Sequence, residues 1–341
     1  MEMTAAPPIT VAVAVTEISQ AGEARRVAVR LAANIGFDEG TRGEVAIIAT
    51  ELGTNLARYG RQGVLLMQAL DLPTGPALDL LSIDRGPGIA DLQAALQDGY
   101  STGGTPGNGL GAVRRLSSDF DIFSTPDGTV VLARVRRRAP ADPAGYDWGV
   151  ISLPAPHETV CGDSWRIAQQ DGGFAVMVAD GLGHGPLAAE ASGLAANVFA
   201  QHPFEDAAAL IERAHPALKG SRGAAMAIAT IGGTKVRYAG AGNIAGVLLG
   251  GERVRGLPSQ NGTVGAQIRR VQALDYDWPA RGRLIMHSDG LTTRWTLDAY
   301  PGLAARHPSI VAAVLWRDCA RGRDDATIVV VVRKAAGPGH A

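Results

Sequence analysis

Four aspartates in the second half of the sequence stand where chemistry would need them. They are Asp163 in C-G-D-S-W, Asp180 in V-A-D-G-L-G-H-G, Asp289 in S-D-G-L and Asp324 in D-D-A-T. Each borders an apolar or β-branched run, which predicts an acid at the tip of a strand. A carboxylate beside bare glycine backbone, as at Asp180-Gly181, offers carboxylate and carbonyl oxygens together, the ligands a hard divalent cation takes. An Asp-Gly pair alone is equally a helix cap after a turn. Recurrence of the setting four times favours an oxygen cage for two ions. Neither thiolate nor imidazole is needed, so Mg²⁺ or Mn²⁺ fits better than Zn²⁺. Two such ions can activate a water for in-line attack on phosphorus. His184 could donate to a phosphate or a leaving oxygen, or be a turn histidine. No arginine near Asp163 offers itself as a phosphate clamp, so phosphate binding is expected to rest on the metals.

The first half carries a different set. Glu51 and Asn55, four apart in a helical pattern, stack on one face. A carboxylate and an amide together can hold magnesium and orient a hydroxyl or water, although a solvated helix face explains such a pair equally well. Asp84 closes an apolar run before R-G-P-G-I, where its carboxylate can accept a hydrogen bond from the exocyclic amine of a purine. Residues 99–111 hold six glycines in thirteen positions and run straight into a helical pattern. Glycine-rich backbone feeding a helix N-terminus presents free N–H groups to phosphate oxygens.

The elements that position these residues follow from periodicity. Strands are expected over 9–15, 77–83 and 129–134, and helices over 21–34 and 45–56, the latter with Val45, Ile48, Ala49, Leu52 and Leu56 as its apolar stripe. In the second half, strands are expected over 150–153, 175–179, 224–231, 236–239, 245–249, 284–288 and 327–332. Helices are expected from Pro186 and over 309–321.

With 341 residues, 46% hydrophobic and 19% charged, the chain has the length of two globular domains. A formal net charge of -1 supplies no field for nucleic acid or anionic membrane. No apolar run reaches a membrane span, and the first residues lack a basic n-region. Cys161 and Cys319 form no framework, fit a reducing cytosol and read as small core residues. Composition thus points to a cytoplasmic protein. The Pro- and Ala-rich stretch 139–145 is expected to be a short linker between domains spanning 1–138 and 146–335, with 336–341 as a tail.

In order, the helix with Glu51 and Asn55, the D-R-G-P-G turn and the glycine-rich loop resemble the N box, D-x-G-x-G box and ATP lid of the GHKL ATPases. The segments ARRVAVRLAANIGF, IIATELGTNLARYG and GYSTGGTPGNGLGAVRRL are similar to the RsbT-type switch kinases of bacterial stress signalling. That resemblance implies ATP and Mg²⁺ as cofactors, Glu51 as general base and Asn55 as magnesium ligand. It also implies Asp84 as adenine reader and Gly86, Gly88, Gly107, Gly109 and Gly111 as nucleotide contacts. The implied substrate is a serine on a STAS-domain protein.

The order G-D-S, A-D-G-L-G-H-G, A-G-A-G-N, S-D-G-L and D-D-A-T resembles the SpoIIE branch of the PPM phosphatases, and within it the RsbX type. It implies that Asp163 and Asp180 hold one Mn²⁺ or Mg²⁺, while Asp180, the Gly181 carbonyl, Asp289 and Asp324 hold the other. Asp180, shared by both ions, is then the central catalytic acid. The role of Asp325, where many PPM enzymes carry Asn, stays open.

Together the resemblances imply two α/β sandwiches: a GHKL (Bergerat) domain with a mixed sheet, then an α-β-β-α PPM sandwich. They imply a bifunctional serine kinase and phosphoserine phosphatase of STAS-domain or stressosome partners, with a sigma factor or partner phosphatase as further candidates. The alternative is an ATP-dependent binding module that gates the phosphatase without turning over.

Overall fold

The computed structural model describes residues 2–3, 10–72, 74–96, 109–136, 145–170, 172–250, 253–279 and 281–334. The lid residues 97–108, Gly107 among them, the linker up to 144 and the tail lie outside these. The chain divides into two compact units, one of 8–141 with 300–306, the other of 1–7, 142–299 and 307–341.

In the first of these, five strands lie in the order Thr10–Ala14, Val64–Leu72, Gly75–Ile83, Gly128–Arg136, Asp119–Thr125. Every neighbouring pair is antiparallel. The expected mixed sheet is therefore not what forms: two of the connections are tight hairpins, and the longer helical excursions also return the chain antiparallel to its neighbour. Helices Ile18–Asn34 and Glu39–Tyr59 cover one face, burying Val27, Leu31, Ile48, Leu52, Leu65 and Leu80 in one core. That face is the apolar stripe of both helices, spaced three and four apart.

Local chemistry sets the helix ends. Asp38 accepts a hydrogen bond from the Thr41 N–H at 2.8 Å, capping the helix that carries Glu51. The preceding helix stops at Gly36, whose φ of +78° lets the Phe37 N–H reach back to the Ala32 carbonyl. On the sheet, Arg134 grips Asp79 with two hydrogen bonds of 2.6 and 2.8 Å, both residues buried. A buried charge needs such a fork to offset its desolvation.

The second unit stacks two antiparallel sheets. One runs Glu2–Met3, Asp163–Gln170, Gly173–Gly181, Ala224–Gly232, Lys235–Ala241, Leu274–Asp277, and the other Arg253–Leu257, Ala245–Gly250, Arg283–His287, Ala326–Arg333, Tyr146–Leu153. Trp148 from one sheet meets Trp165 from the other edge-on at 5.7 Å, so the aromatics seal the sandwich between them. Helices Pro186–Gln201 and Ala207–Ala217 pack on the first sheet, their Ala195, Phe199 and Leu210 closing over Met177 and Met226. Helix Pro308–Cys319 lies on strands Tyr146–Leu153 and Ala326–Arg333 of the other. The layers are α-β-β-α. No helix among the described residues is long and apolar enough to cross a membrane.

Candidate metal centre and nucleotide site

In the second unit, strand register brings the acids together. Asp163 opens its strand and Asp180 nearly closes the next, and the two are direct partners in the antiparallel ladder. Side chains of such a pair share one face roughly 5 Å apart, and like charges there destabilise the sheet unless something neutralises them. The other sheet supplies Asp289, just past strand Arg283–His287, and Asp324, just before Ala326–Arg333. Ser288 ties the sheets together. Its hydroxyl accepts from the Thr327 N–H at 3.0 Å and donates to Asp163 Oδ2 at 2.7 Å.

Crowding shows in the proton affinities. Burial, then the neighbouring carboxylates Asp163, Asp289, Asp324 and Asp325, push Asp180 up to about 9. Burial also raises Asp163, with the Ser288 and Thr327 hydroxyls opposing and Asp325 and Asp324 adding to it. Asp163 Oδ1 and Asp325 Oδ2 are buried without a hydrogen-bond partner. Oxygen-only donors, mutual repulsion and orphaned carboxylate oxygens fit a hard divalent cation.

Among the described residues, no three His, Cys, Asp or Glu side chains form a ready cage. Two of the acids have hydrogen-bond donors beside them. Asn243 Nδ2 donates to Asp289 Oδ2 at 2.7 Å, and Asp324 Oδ1 takes the Asp325 N–H at 3.0 Å. Gly181 packs against the backbone of Ala188, where no side chain would fit.

Asp325 is buried and accepts from the Ala155 N–H at 2.9 Å, which anchors the loop leading to Asp163. His184 Nδ1 lies 2.6 Å from Glu158 Oε1, both partly exposed. The Cys161 thiol is raised by burial and by the adjacent Asp163 and Asp325, which makes it a poor nucleophile. Sequence reasoning missed Ser288, Asn243 and Glu158. The first two stand inside motifs already singled out, S-D-G-L and A-G-A-G-N, and were within reach.

In the first unit, Glu51 and Asn55 sit half-buried on helix Glu39–Tyr59 and face the start of helix Gly109–Leu116. A Cβ placed on Gly109 would fall 3.2 Å from Glu51 Oε2 and 3.8 Å from Asn55 Nδ2. Gly111 is buried in the same short helix. Asp84 follows strand Gly75–Ile83, and its Oδ1 accepts the Gly86 N–H at 2.6 Å. A Cβ on Gly60, at the end of the helix that carries Glu51, would fall 3.2 Å from the Asp84 Cβ. Gly60 stands nine positions after Glu51, roughly 13 Å along a helix, so Asp84 and Glu51 mark opposite ends of the site. Gly88, with φ of +77°, passes against the Thr125 backbone where a side chain cannot go. The structure gathers Glu51, Asn55 and Gly109 at one end and Asp84 with Gly86 at the other.

Comparison with known proteins gives each half a counterpart. Residues 14–135 match the family model of the histidine kinase-like ATPase domain, and residues 170–334 match that of stage II sporulation protein E. Over 111 residues the chain is 30% identical to the serine/threonine-protein kinase RsbT of Bacillus subtilis (strain 168), covering 32% of this chain and 84% of that protein. Over 146 residues it is 30% identical to the phosphoserine phosphatase RsbX of the same organism, covering 42% of this chain and 73% of that one. A crystal structure of RsbX in complex with magnesium superposes with a TM-score of 0.50 at 23% identity, over 57% of this chain and 98% of that one. At that identity it speaks to the fold, and it agrees with the α-β-β-α layers.

Proposed function

The chain belongs to the histidine kinase-like ATPase family through its first half and to the SpoIIE phosphatase family through its second, and from that premise we propose a regulator with two opposed activities on protein serine. The second half, 146–335, is a metal-dependent phosphoserine phosphatase. The observation that carries this is the ladder pair Asp163–Asp180, joined by Ser288 to the sheet that supplies Asp289 and Asp324.

Asp163, Asp180, Asp289, Asp324 and the Gly181 carbonyl are the groups that would hold two Mn²⁺ or Mg²⁺ ions. Such ions, when bound, acidify a water and draw charge from the phosphoryl oxygens. Asp180, placed between the other acids, is the ligand both sites share. Ser288 keeps Asp163 oriented, and Asn243 does the same for Asp289.

The first half, 1–138, binds ATP with Mg²⁺ and transfers its γ-phosphoryl to a serine. Asp84 reads the adenine, Gly86, Gly88, Gly107, Gly109 and Gly111 approach the nucleotide, Asn55 holds magnesium and Glu51 takes the hydroxyl proton. Placement of Glu51 beside Gly109 favours transfer over pure binding, since a binding module needs no base there. By analogy with the kinase and phosphatase relatives, the substrates are STAS-domain proteins of a partner-switching pathway, and the protein is cytoplasmic.

The test is direct. Hydrolysis of p-nitrophenyl phosphate by the full chain should require Mn²⁺ or Mg²⁺ and vanish with a chelator. Full activity in chelated protein would reject the metal assignment. Incubation with labelled ATP and a STAS-domain protein should label a serine, and ATP binding without any transfer would favour the gating module.

A further inference from the structure

Beyond the acids, the metal centre needs something to counter the repulsion between a cluster of carboxylates and a phosphate dianion. The loop Gly220–Gly223, between helix Ala207–Ala217 and strand Ala224–Gly232, supplies one exposed cation there. Its shape is built rather than loose. Gly220 and Gly223 both take positive φ, at +91° and +81°. The Ser221 hydroxyl donates to the Leu218 carbonyl at 2.7 Å and accepts the Gly223 N–H at 3.1 Å.

The ladder continues past its last strand residues. Asp180 pairs with Ala225 and Gly181 with Ala224, and then the Leu182 N–H donates to the Gly223 carbonyl at 3.0 Å. That register sets Arg222 opposite Gly183, in the turn that follows the metal ligands. A Cβ on Gly183 would fall 2.8 Å from Arg222 Nη1, so the guanidinium lies on bare backbone that only glycine leaves open. Gly183 is three residues from Asp180, at most about 10 Å of chain, within the combined reach of an arginine and a phosphoryl group. Among the described residues, Arg222 is exposed and makes no hydrogen bond or ion pair.

We propose that Arg222 is the phosphate-binding residue of this centre, gripping non-bridging oxygens of a phosphate monoester while the ester oxygen points away from the acids, in line with a water on their side. A planar guanidinium matches two phosphoryl oxygens at once and needs no prior partner to leave. The assignment rests on the phosphatase reading and offers an alternative to the expectation that phosphate binding rests on the metals. It also fixes a direction of approach, from the side of the 182–185 turn.

The experiment titrates inorganic phosphate into the full-length protein by calorimetry, with and without Mn²⁺, alongside p-nitrophenyl phosphate hydrolysis. Arg222→Ala should weaken phosphate binding about tenfold or more, the worth of one charge-assisted hydrogen bond, and raise KM similarly, while Mn²⁺ binding and the thermal melt stay unchanged. Arg222→Lys should recover part of the loss. Lys219→Ala, removing an exposed cation just before that loop, should change nothing. Unchanged phosphate affinity in Arg222→Ala, an equal loss in Lys219→Ala, or no phosphate binding by the wild type would each overturn the assignment. Phosphate binding that depends on Arg222 without any hydrolysis would instead keep the clamp and reject the phosphatase reading.

Discussion

The two sites are built on opposite plans. The proposed metal centre is made of strand ends: its four acids come from two stacked sheets, with Ser288 bonded to Asp163 and Asn243 to Asp289. The proposed nucleotide site is made of a helix face and turns, with Glu51 and Asn55 on one element, Asp84 after the next hairpin and the glycine-rich lid following both in sequence. The first plan concentrates charge of one sign and holds it under strain. The second distributes single polar groups along the length of a ligand. A centre of the first kind should therefore respond to metal and pH as a unit, whereas a site of the second kind should lose binding and chemistry separately.

The comparison can be broken from its strongest end. Asp180→Asn removes a ligand from both ions at once, and hydrolysis should fall by about a thousandfold or more, measured on p-nitrophenyl phosphate with saturating Mn²⁺. Activity within tenfold of wild type would show that the acids do not act together. Next, Glu51→Ala should slow phosphoryl transfer about a hundredfold or more while nucleotide affinity holds, read by single-turnover labelling beside a binding titration. Loss of both together would put Glu51 in the binding machinery and erase the contrast.

A smaller effect is expected at Ser288. Its replacement by Ala frees Asp163 Oδ2 and should weaken Mn²⁺ binding about tenfold, read as the metal concentration at half-maximal hydrolysis. The smallest is a pH effect on the metal-free fold. Asp180 is raised in the folded chain to about 9 by burial and its fellow acids, against roughly 4 when unfolded. Above the unfolded value the native state holds the extra proton, so the metal-free protein should lose stability as pH rises from about 4 through 9. Thermal melts in chelator should drift down by a few degrees across that window, and Mn²⁺ should flatten the slope. Asp180→Asn should flatten it too, without metal.

How much of this was legible depends on how local each feature is. Asp180, Asp289 and Asp324 sit at the tips of runs such as A-V-M-V-A and T-I-V-V-V-V, whose composition already says strand, so their placement needed no tertiary knowledge. The strand Val64–Leu72 went unread because V-L-L-M-Q-A-L-D-L is full of helix formers and alternates weakly, being buried along most of its length. Helix Ala207–Ala217 was hidden by its internal Pro216. Side-chain roles were hardest. Ser288 bonds a residue 125 positions away, and Arg222 meets Gly183 only because a ladder sets the two opposite each other. Nor does a sequence reveal that Asn243 donates to Asp289 and the Asp325 N–H to Asp324.

The central claim is that the strand-end acids form one divalent-cation centre with Asp180 at its heart. Calorimetric titration of Mn²⁺ into the full-length, metal-free protein, in the absence of nucleotide, measures this without reference to turnover. The account predicts two Mn²⁺ bound per chain in the wild type, with proton release that grows toward low pH, and loss of both in Asp180→Asn. Two ions bound with unchanged affinity by Asp180→Asn would contradict it.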